Sequence, residues 1–229
     1  MKTSPVKSTL PAQRDAVSVL YCREMPAVDT DNLQSVWQAF HSASPQRLKQ
    51  SWLLRPDSDF GVGTVRVGWS GSSVLVFAEL VGADIHSGAR SLNQPTWLLG
   101  DAFEIFFQAN NERDYVELHV TPNNQRLQLR YRDDWVNRAE KWEQALVTGE
   151  LFRSLTWIWS ETERWFVYAE VPMPAVTTRE RSLPGNRWRY SFSRYDYRLG
   201  RAEPIISSTS PHAAPDFHRR EEWGTMVFA

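Results

Sequence analysis

Residues 100–131 read GDAFEIFFQANNERDYVELHVTPNNQRLQLRY, and this stretch decides the fold. It divides into three segments of alternating apolar and polar residues, separated by two short runs that contain Asn, Asp or Pro. Alternation with a period of two is typical of β-strands, because successive side chains point to opposite faces of a sheet. The stretch therefore predicts three successive antiparallel strands joined by turns.

A definite pairing register follows if the apolar residues of the three strands share one face, with 121–124 as the second turn. A shift of one residue would exchange the two faces, so we expect this register to be strongly specified. The polar face then holds three cross-strand rows: Glu104–His119–Arg126, Phe106–Glu117–Gln128 and Gln108–Tyr115–Arg130. Such a face can bind the hydroxyl groups of a sugar or simply face water, and the residues alone leave both open.

The rest of the chain repeats the strand pattern. Alternating or apolar segments predict strands at 63–69, 74–80, 155–159, 165–171, 188–197 and 225–228. A short helix is predicted over Asp29–Phe40, with an Asp or Thr as its N-cap. Closely spaced strands with little helix predict an all-β, antiparallel β-sandwich with one or two short helices. We expect residues 1–15 to form a flexible tail and residues 16–229 to form a single domain.

Composition excludes several classes of protein. The chain of 229 residues has 26 Lys plus Arg against 27 Asp plus Glu, which disfavours a general nucleic-acid binder. Its one cysteine, Cys22, rules out an intrachain disulfide and a thiolate metal cluster. No apolar run is long enough to cross a membrane, so no membrane partner is predicted. No signal peptide is present, which predicts a cytoplasmic protein as written, or a secreted one if a signal has been removed.

No motif for catalysis or cofactor binding is present. The chain lacks a Gly-x-Ser-x-Gly segment, a phosphate loop, a His-Glu-x-x-His motif and a dinucleotide fingerprint. We therefore predict no catalytic residues, no metal ligands and no cofactor.

Six segments, in order, resemble carbohydrate-binding modules of family 9, within the wider group of DOMON-like β-sandwiches. They are DTDNLQSVW, GDAFEIFF with YVELHVTPNN, VPMPAV, SFSRYDY and PDFHRREEWG, and together they span most of residues 25–228. The resemblance implies an immunoglobulin-like or jelly-roll-like sandwich of DOMON type. It also implies a non-catalytic module that binds an oligosaccharide or polysaccharide, of the glucan or xylan type.

The resemblance also implies site residues. In that family two aromatic rings enclose the terminal sugars, and charged and amide side chains bind the hydroxyl groups. By position, Trp97 resembles the first ring, Glu104 the acidic acceptor, and Arg126 and Gln128 the donors. The complete predicted set is Trp97, Glu104, Glu117, His119, Arg126 and Gln128, with Trp188 and Tyr195 as candidates for the second ring. A structural calcium ion is possible by resemblance, although no clear acidic cluster for it occurs in the sequence.

Three alternatives stay open. The chain could be a structural or protein-interaction domain that has kept the sandwich without the sugar site. It could be a glycoside hydrolase or an accessory subunit of one, since Glu104 and Glu117 share the polar face. It could also be a haem-binding electron-transfer domain, which would be coloured. The candidate axial ligands are Met25, Met173, Met226, His86, His119 and His212.

Overall fold

The computed structural model describes residues 17–110, 112–132, 142–177 and 184–229. These residues form a single α-helix, α1 (Leu33–Ala39), and one curled, continuous sheet. The strands are β1 Val19–Glu24, β2 Gln46–Arg47, β3 Gly63–Ser70, β4 Ser73–Val81, β5 Ala102–Ala109, β6 Tyr115–Val120, β7 Arg126–Tyr131, β8 Arg153–Trp159, β9 Arg164–Pro172, β10 Arg187–Asp196, β11 Ile205–Ser208 and β12 Gly224–Phe228. The predicted all-β class is confirmed, whereas a closed two-sheet sandwich is a finer description than this curled sheet supports.

Strand β1 joins the two halves of the sheet. The order is β7–β6–β5–β10–β12–β1–β3–β4–β9–β8, with β11 on β10 and β2 on β3. Strand β1 pairs in parallel with β12, placing Leu20 opposite Met226, and in parallel with β3, placing Arg23 opposite Gly68. The other strand pairs are antiparallel.

The main core lies between the concave faces of the two halves. Ile105 of β5 and Leu118 of β6 belong to the same buried cluster as Val67 of β3 and Val167 of β9. Burial of each such side chain contributes about 1.5–3 kcal/mol relative to its exposed state. This core fixes which residues of β5 and β6 face outward, and so it positions the site described below.

The predicted register is right for one strand pair and wrong for the next. Strands β5 and β6 pair as predicted, with Glu104 opposite His119. Strand β7 is shifted by one residue, so that His119 faces Leu127 and not Arg126. The reason is a longer turn, in which the Thr121 amide donates to the Gln125 carbonyl at 3.0 Å and Asn124 adopts a left-handed backbone (φ 57°).

The helix is shorter than predicted and begins later. Its N-cap is Asn32, whose Oδ1 accepts a hydrogen bond from the Ser35 amide at 2.9 Å, and not Asp29 or Thr30. The predicted tail, 1–15, lies outside the described residues, and the single domain over 16–229 stays a prediction. Within the ranges that the structure describes, no helix has the length and apolar character needed to span a membrane.

Candidate functional site

A pocket of about 320 Å³ opens on the convex face of β5, β6, β7 and β10. We call it the aromatic pocket. Its lining consists of Trp97, Glu104, Phe106, Glu117, Tyr131, Trp142, Tyr195, Pro215, Asp216, Phe217 and His218. The open polar face expected from the sequence is not observed, because the shifted β7 turns Leu127, Leu129 and Tyr131 to this side. The loop residue Phe217 packs with these apolar side chains, and the aromatic pocket lies beside them.

Aromatic rings form the walls of the pocket. Trp97 lies in the 3-10 turn Thr96–Leu98, just before β5, and its ring is half-buried. Trp142 meets Trp97 edge to face, with ring centroids 5.2 Å apart and planes at 89°. On the other side, Tyr195 of β10 contacts Phe217 with centroids 5.8 Å apart. Rings at several angles around one small space can contact a flat or puckered ligand from more than one side.

Two carboxylates and two imidazoles lie in the pocket lining or directly beneath it, and we call them the Glu–His cluster: Glu104, Glu117, His119 and His218. His119 Nε2 donates to Glu117 Oε1 at 2.7 Å and lies 3.3 Å from Glu104 Oε1. His218 Nε2 lies 3.6 Å from Glu117 Oε2. Glu104, Glu117 and His119 are at most 5% exposed, while His218 is half-buried in the wall.

Burial and charge set the protonation of the cluster in opposite directions. Burial raises the pKa of the Glu104 carboxyl, and the negative charge of Glu117 adds to this effect against the attraction of His119. Burial also acts to raise the pKa of Glu117, but the charges of His218 and His119 outweigh it and lower that pKa. For His119, burial alone would lower the pKa, yet the two carboxylates raise it. The cluster therefore favours an ionised Glu117 beside a cationic His119.

The structure brings together five of the eight predicted site residues. Trp97, Glu104, Glu117 and Tyr195 line the pocket. His119 lies beneath them, wholly buried, with its ring centroid 5.7 Å from that of Trp97.

Arg126 and Gln128 are not part of the pocket, because the shifted register places them on the opposite face of β7. Arg126 binds Glu150 at 2.7 Å and also donates to the Phe152 carbonyl. The Gln128 side chain donates to the Gly149 carbonyl at 3.0 Å and accepts from the Leu151 amide at 2.7 Å. Both side chains therefore fasten residues 149–152 to the edge of the sheet.

Trp188, a candidate for the second ring, is a core residue. It is 1% exposed and packs against Phe107 and Phe228, at centroid distances of 5.8 and 5.1 Å. Tyr195 does lie at the pocket. Its half-buried ring contacts Phe217 across from Trp97 and Trp142.

The possible haem and calcium ligands do not assemble as the alternatives require. Met25, Met173 and Met226 are buried in apolar clusters, and His212 binds Glu222 at 3.2 Å. Among the described residues, one group of His, Cys, Asp and Glu side chains is close enough to share an ion. It consists of Glu104, Glu117 and His119 of the Glu–His cluster. Calcium takes oxygen ligands, so this partly nitrogen donor set does not fit a calcium ion.

Sequence reasoning missed several pocket residues. Trp142, Asp216 and Phe217 lie in segments without strand periodicity, and Tyr131 was placed on the other face by the wrong register. His218 lies in the same irregular segment, and its Nδ1 forms a hydrogen bond with the Tyr115 hydroxyl at 2.7 Å. The available signal was the occurrence of aromatic residues in otherwise polar, irregular segments.

Comparisons with known proteins identify the fold. No family model matches the chain, and no curated protein matches its sequence. Similar solved structures include a proposed carbohydrate-binding protein from Bacteroides uniformis, with a TM-score of 0.72 and 15% identity over 93% of this chain and 100% of that chain. They also include a family 9 carbohydrate-binding module from Caldicellulosiruptor kristjanssonii in complex with cellotriose, with a TM-score of 0.63 and 12% identity over 92% of this chain and 93% of that one. A family 9 module from the same organism, in complex with glucose, gives a TM-score of 0.62 and 12% identity, over 93% of this chain and 96% of that one. The chain thus has the fold of these carbohydrate-binding proteins.

Proposed function

We propose that this chain is a non-catalytic carbohydrate-binding domain and that the aromatic pocket receives its ligand. The observation that carries the proposal is the meeting of Trp97, Trp142 and Tyr195 around a pocket that also contains buried carboxylates. Indole and phenol rings stack on the apolar C–H faces of sugar rings, while carboxylates accept strong hydrogen bonds from hydroxyl groups. The fold shared with proteins described as carbohydrate-binding supports the same conclusion.

The size of the pocket favours the end of a saccharide chain over its middle. Ligand pockets commonly enclose roughly 300–1,000 Å³, and this one, at about 320 Å³, is at the small end. It is a pocket with walls on several sides and not a long groove, so one or two terminal sugar rings fit it best. We propose further that the ligand is of the glucan or xylan type and that the fold is a DOMON-like sandwich. We also propose that the domain has no catalytic activity.

The absence of catalysis is proposed on geometric grounds. A glycosidase needs two carboxyl groups on either side of the bond that is cleaved, roughly 5–9 Å apart. Here the His119 imidazole bridges Glu104 and Glu117, so no sugar bond can lie between the two carboxylates. We expect no release of nitrophenol from aryl glycosides.

A panel of oligosaccharides tests the proposal, with binding measured by thermal shift and calorimetry. We expect at least one glucan, xylan or related oligosaccharide to raise the melting temperature, since a ligand held by the native state stabilises it. Trp97→Ala and Trp142→Ala should each weaken binding by about tenfold to a hundredfold, through loss of one stacking ring.

Trp159→Ala is the matched control, because this tryptophan is 48% exposed on β8 and lies outside the aromatic pocket. It should leave affinity unchanged. Binding that survives both pocket substitutions, or that depends on Trp159 instead, would refute the site. A parent protein that binds none of the saccharides would favour a structural or protein-interaction domain.

A further inference from the structure

We propose that the Glu–His cluster is a binding site for a divalent transition-metal ion, and that this ion is zinc. The ligands would be Glu104, Glu117, His119 and His218. The potential donor atoms of the first three all lie within 4.8 Å of one another, and the fourth lies next to Glu117. This inference goes beyond carbohydrate binding and does not depend on it.

The distances between donor atoms suit one shared ion. Ligands at ~2.0–2.1 Å from a tetrahedral zinc ion are separated by about 3.3 Å. His119 Nε2 lies 3.3 Å from Glu104 Oε1, and His218 Nε2 lies 3.6 Å from Glu117 Oε2. The shorter contact, 2.7 Å between His119 Nε2 and Glu117 Oε1, is a hydrogen bond that metal coordination would replace, with release of the Nε2 proton to solvent. Glu104, Glu117 and His119 therefore need only small side-chain movements to share an ion. His218, which lies next to Glu117, would move towards them to become the fourth ligand.

A buried carboxylate oxygen without a hydrogen bond points to a missing ligand. Glu117 is 5% exposed, and its Oε2 atom has no hydrogen-bond partner. Buried polar atoms normally have one, because desolvating a polar atom without a compensating hydrogen bond is unfavourable. This oxygen belongs to a side chain that lines the pocket, so an ion entering from solvent can reach it. A divalent cation would satisfy Oε2 and neutralise the two neighbouring carboxylates.

Both imidazoles are already oriented as metal-binding histidines usually are. The Nδ1 atom of His119 forms a hydrogen bond with the Thr96 hydroxyl at 2.7 Å, and that of His218 forms one with the Tyr115 hydroxyl, also at 2.7 Å. In each case the Nε2 atom is turned towards Glu117. Second partners of this kind fix the ring orientation at metal sites, and their loss commonly lowers metal affinity 10–100-fold.

The donor set selects the kind of ion. Two imidazole nitrogens with two carboxylates suit zinc and other first-row transition metals, whereas calcium and magnesium take oxygen ligands. Glu104, Glu117 and His218 line the aromatic pocket, which gives the ion a path from solvent.

Titration of the full chain with metal ions alone tests the inference. After treatment with a chelator and dialysis, the protein should bind one equivalent of zinc by calorimetry. Cobalt(II) should give the visible absorption bands typical of low coordination number, and calcium and magnesium should compete poorly. His218→Asn, at a half-buried position that should tolerate change, should lower zinc affinity at least about tenfold.

Glu117→Gln is the second variant, and its fold should be checked by circular dichroism. His41→Asn, at an exposed histidine that follows α1, is the matched control and should bind zinc like the parent. A parent that binds no zinc or cobalt, or zinc binding unchanged in both cluster variants, would overturn the inference. Saccharide binding measured with a chelator present tests the proposed function separately, because no metal ion is then available to the Glu–His cluster.

Discussion

At the scale of single residues, Asp101 helps to hold in place the elements that carry the site. Its side chain is wholly buried, and its oxygens accept hydrogen bonds from the Tyr197 amide at 2.8 Å and the His86 amide at 3.1 Å. These bonds join the start of β5 to the end of β10 and to the loop that precedes Trp97. Burial raises the pKa of Asp101 to about 6, although both hydrogen bonds and Arg194 act in the opposite direction.

This pKa predicts a specific pH dependence of stability. Because the carboxyl has a higher pKa in the native state than the unfolded value of 3.8, the native state binds the proton more tightly. Its contribution therefore stabilises the protein at low pH and is lost as the pH rises from about 4 to about 6, by up to about 3 kcal/mol. Asp101→Asn cannot titrate, so the free energy of unfolding of the parent should rise relative to that of the variant as the pH falls from 7 to 4.5.

Urea unfolding at several pH values measures this difference. The variant also loses one hydrogen-bond acceptor, so its stability at a single pH is not informative and the slope against pH is. Asp31→Asn, at an exposed carboxylate before α1, should follow the parent at every pH. Parallel curves for the parent and Asp101→Asn would contradict the assignment.

At the scale of elements, strand β7 decides what the pocket can be. Its Arg126 and Gln128 side chains bind residues 149–152, and its apolar side chains pack beside the aromatic pocket. Gln128→Leu should therefore lower stability by about 2–4 kcal/mol, because the Gly149 carbonyl and the Leu151 amide would lose their partner. Ligand affinity should change little, since the side chain is remote from the pocket.

The opposite result, weaker ligand binding at nearly unchanged stability, would support the register expected from the sequence. In that register Gln128 lies beside Glu117, so its loss would weaken ligand binding with little effect on stability. Urea unfolding and calorimetry on the same variant separate the two cases. Gln34→Leu is a control, since Gln34 is an exposed residue of α1 and the change should alter neither quantity much.

The contrast between β6 and β7 shows what the sequence can predict here. Strands β5 and β6 were paired correctly, because their apolar residues fill the main core and their polar residues cannot. For β7, alternation could not distinguish the faces, since Leu127 and Leu129 are buried on the side of the aromatic pocket, together with Tyr131 and Phe217. The turn residue Asn124, with its left-handed backbone, set the register, and its conformation was not evident from the pattern.

At the scale of the whole molecule, β1 connects the two halves of the sheet, and the sequence did not predict it. Only Leu20 and Cys22 of this strand are buried, while Val19 and Tyr21 are more than half exposed. Its partners lie about 45 and 205 residues further along the chain, so no local pattern reveals the pairing. The pocket was hard to predict for the same reason, since its walls come from segments far apart in the sequence.

Cys22 provides a probe of this connection. It is wholly buried in the main core, its backbone carbonyl accepts from the Ala229 amide at 2.9 Å, and burial raises the pKa of its thiol. We expect a thiol reagent to label the native protein at least about a thousandfold more slowly than the unfolded chain, with a rate that rises with urea as global unfolding does.

Ser72→Cys, in a Cys22→Ala background, should label at once, because Ser72 lies in the exposed turn between β3 and β4. Fast labelling of Cys22 without urea, or a rate indifferent to urea, would mean that β1 detaches while the rest of the fold persists. The two halves of the sheet would then be independent units.

The edge-to-face pair of Trp97 and Trp142 gives the protein its own optical reporter. Two indole rings held 5.2 Å apart at a fixed angle inside a chiral protein contribute to the circular dichroism of the aromatic bands. A bound ligand that displaces one of the two rings should alter the circular dichroism of the aromatic bands, even when the heat of binding and the change in melting temperature are small. Circular dichroism of the unlabelled protein should thus detect weakly bound ligands that calorimetry and thermal shift do not detect.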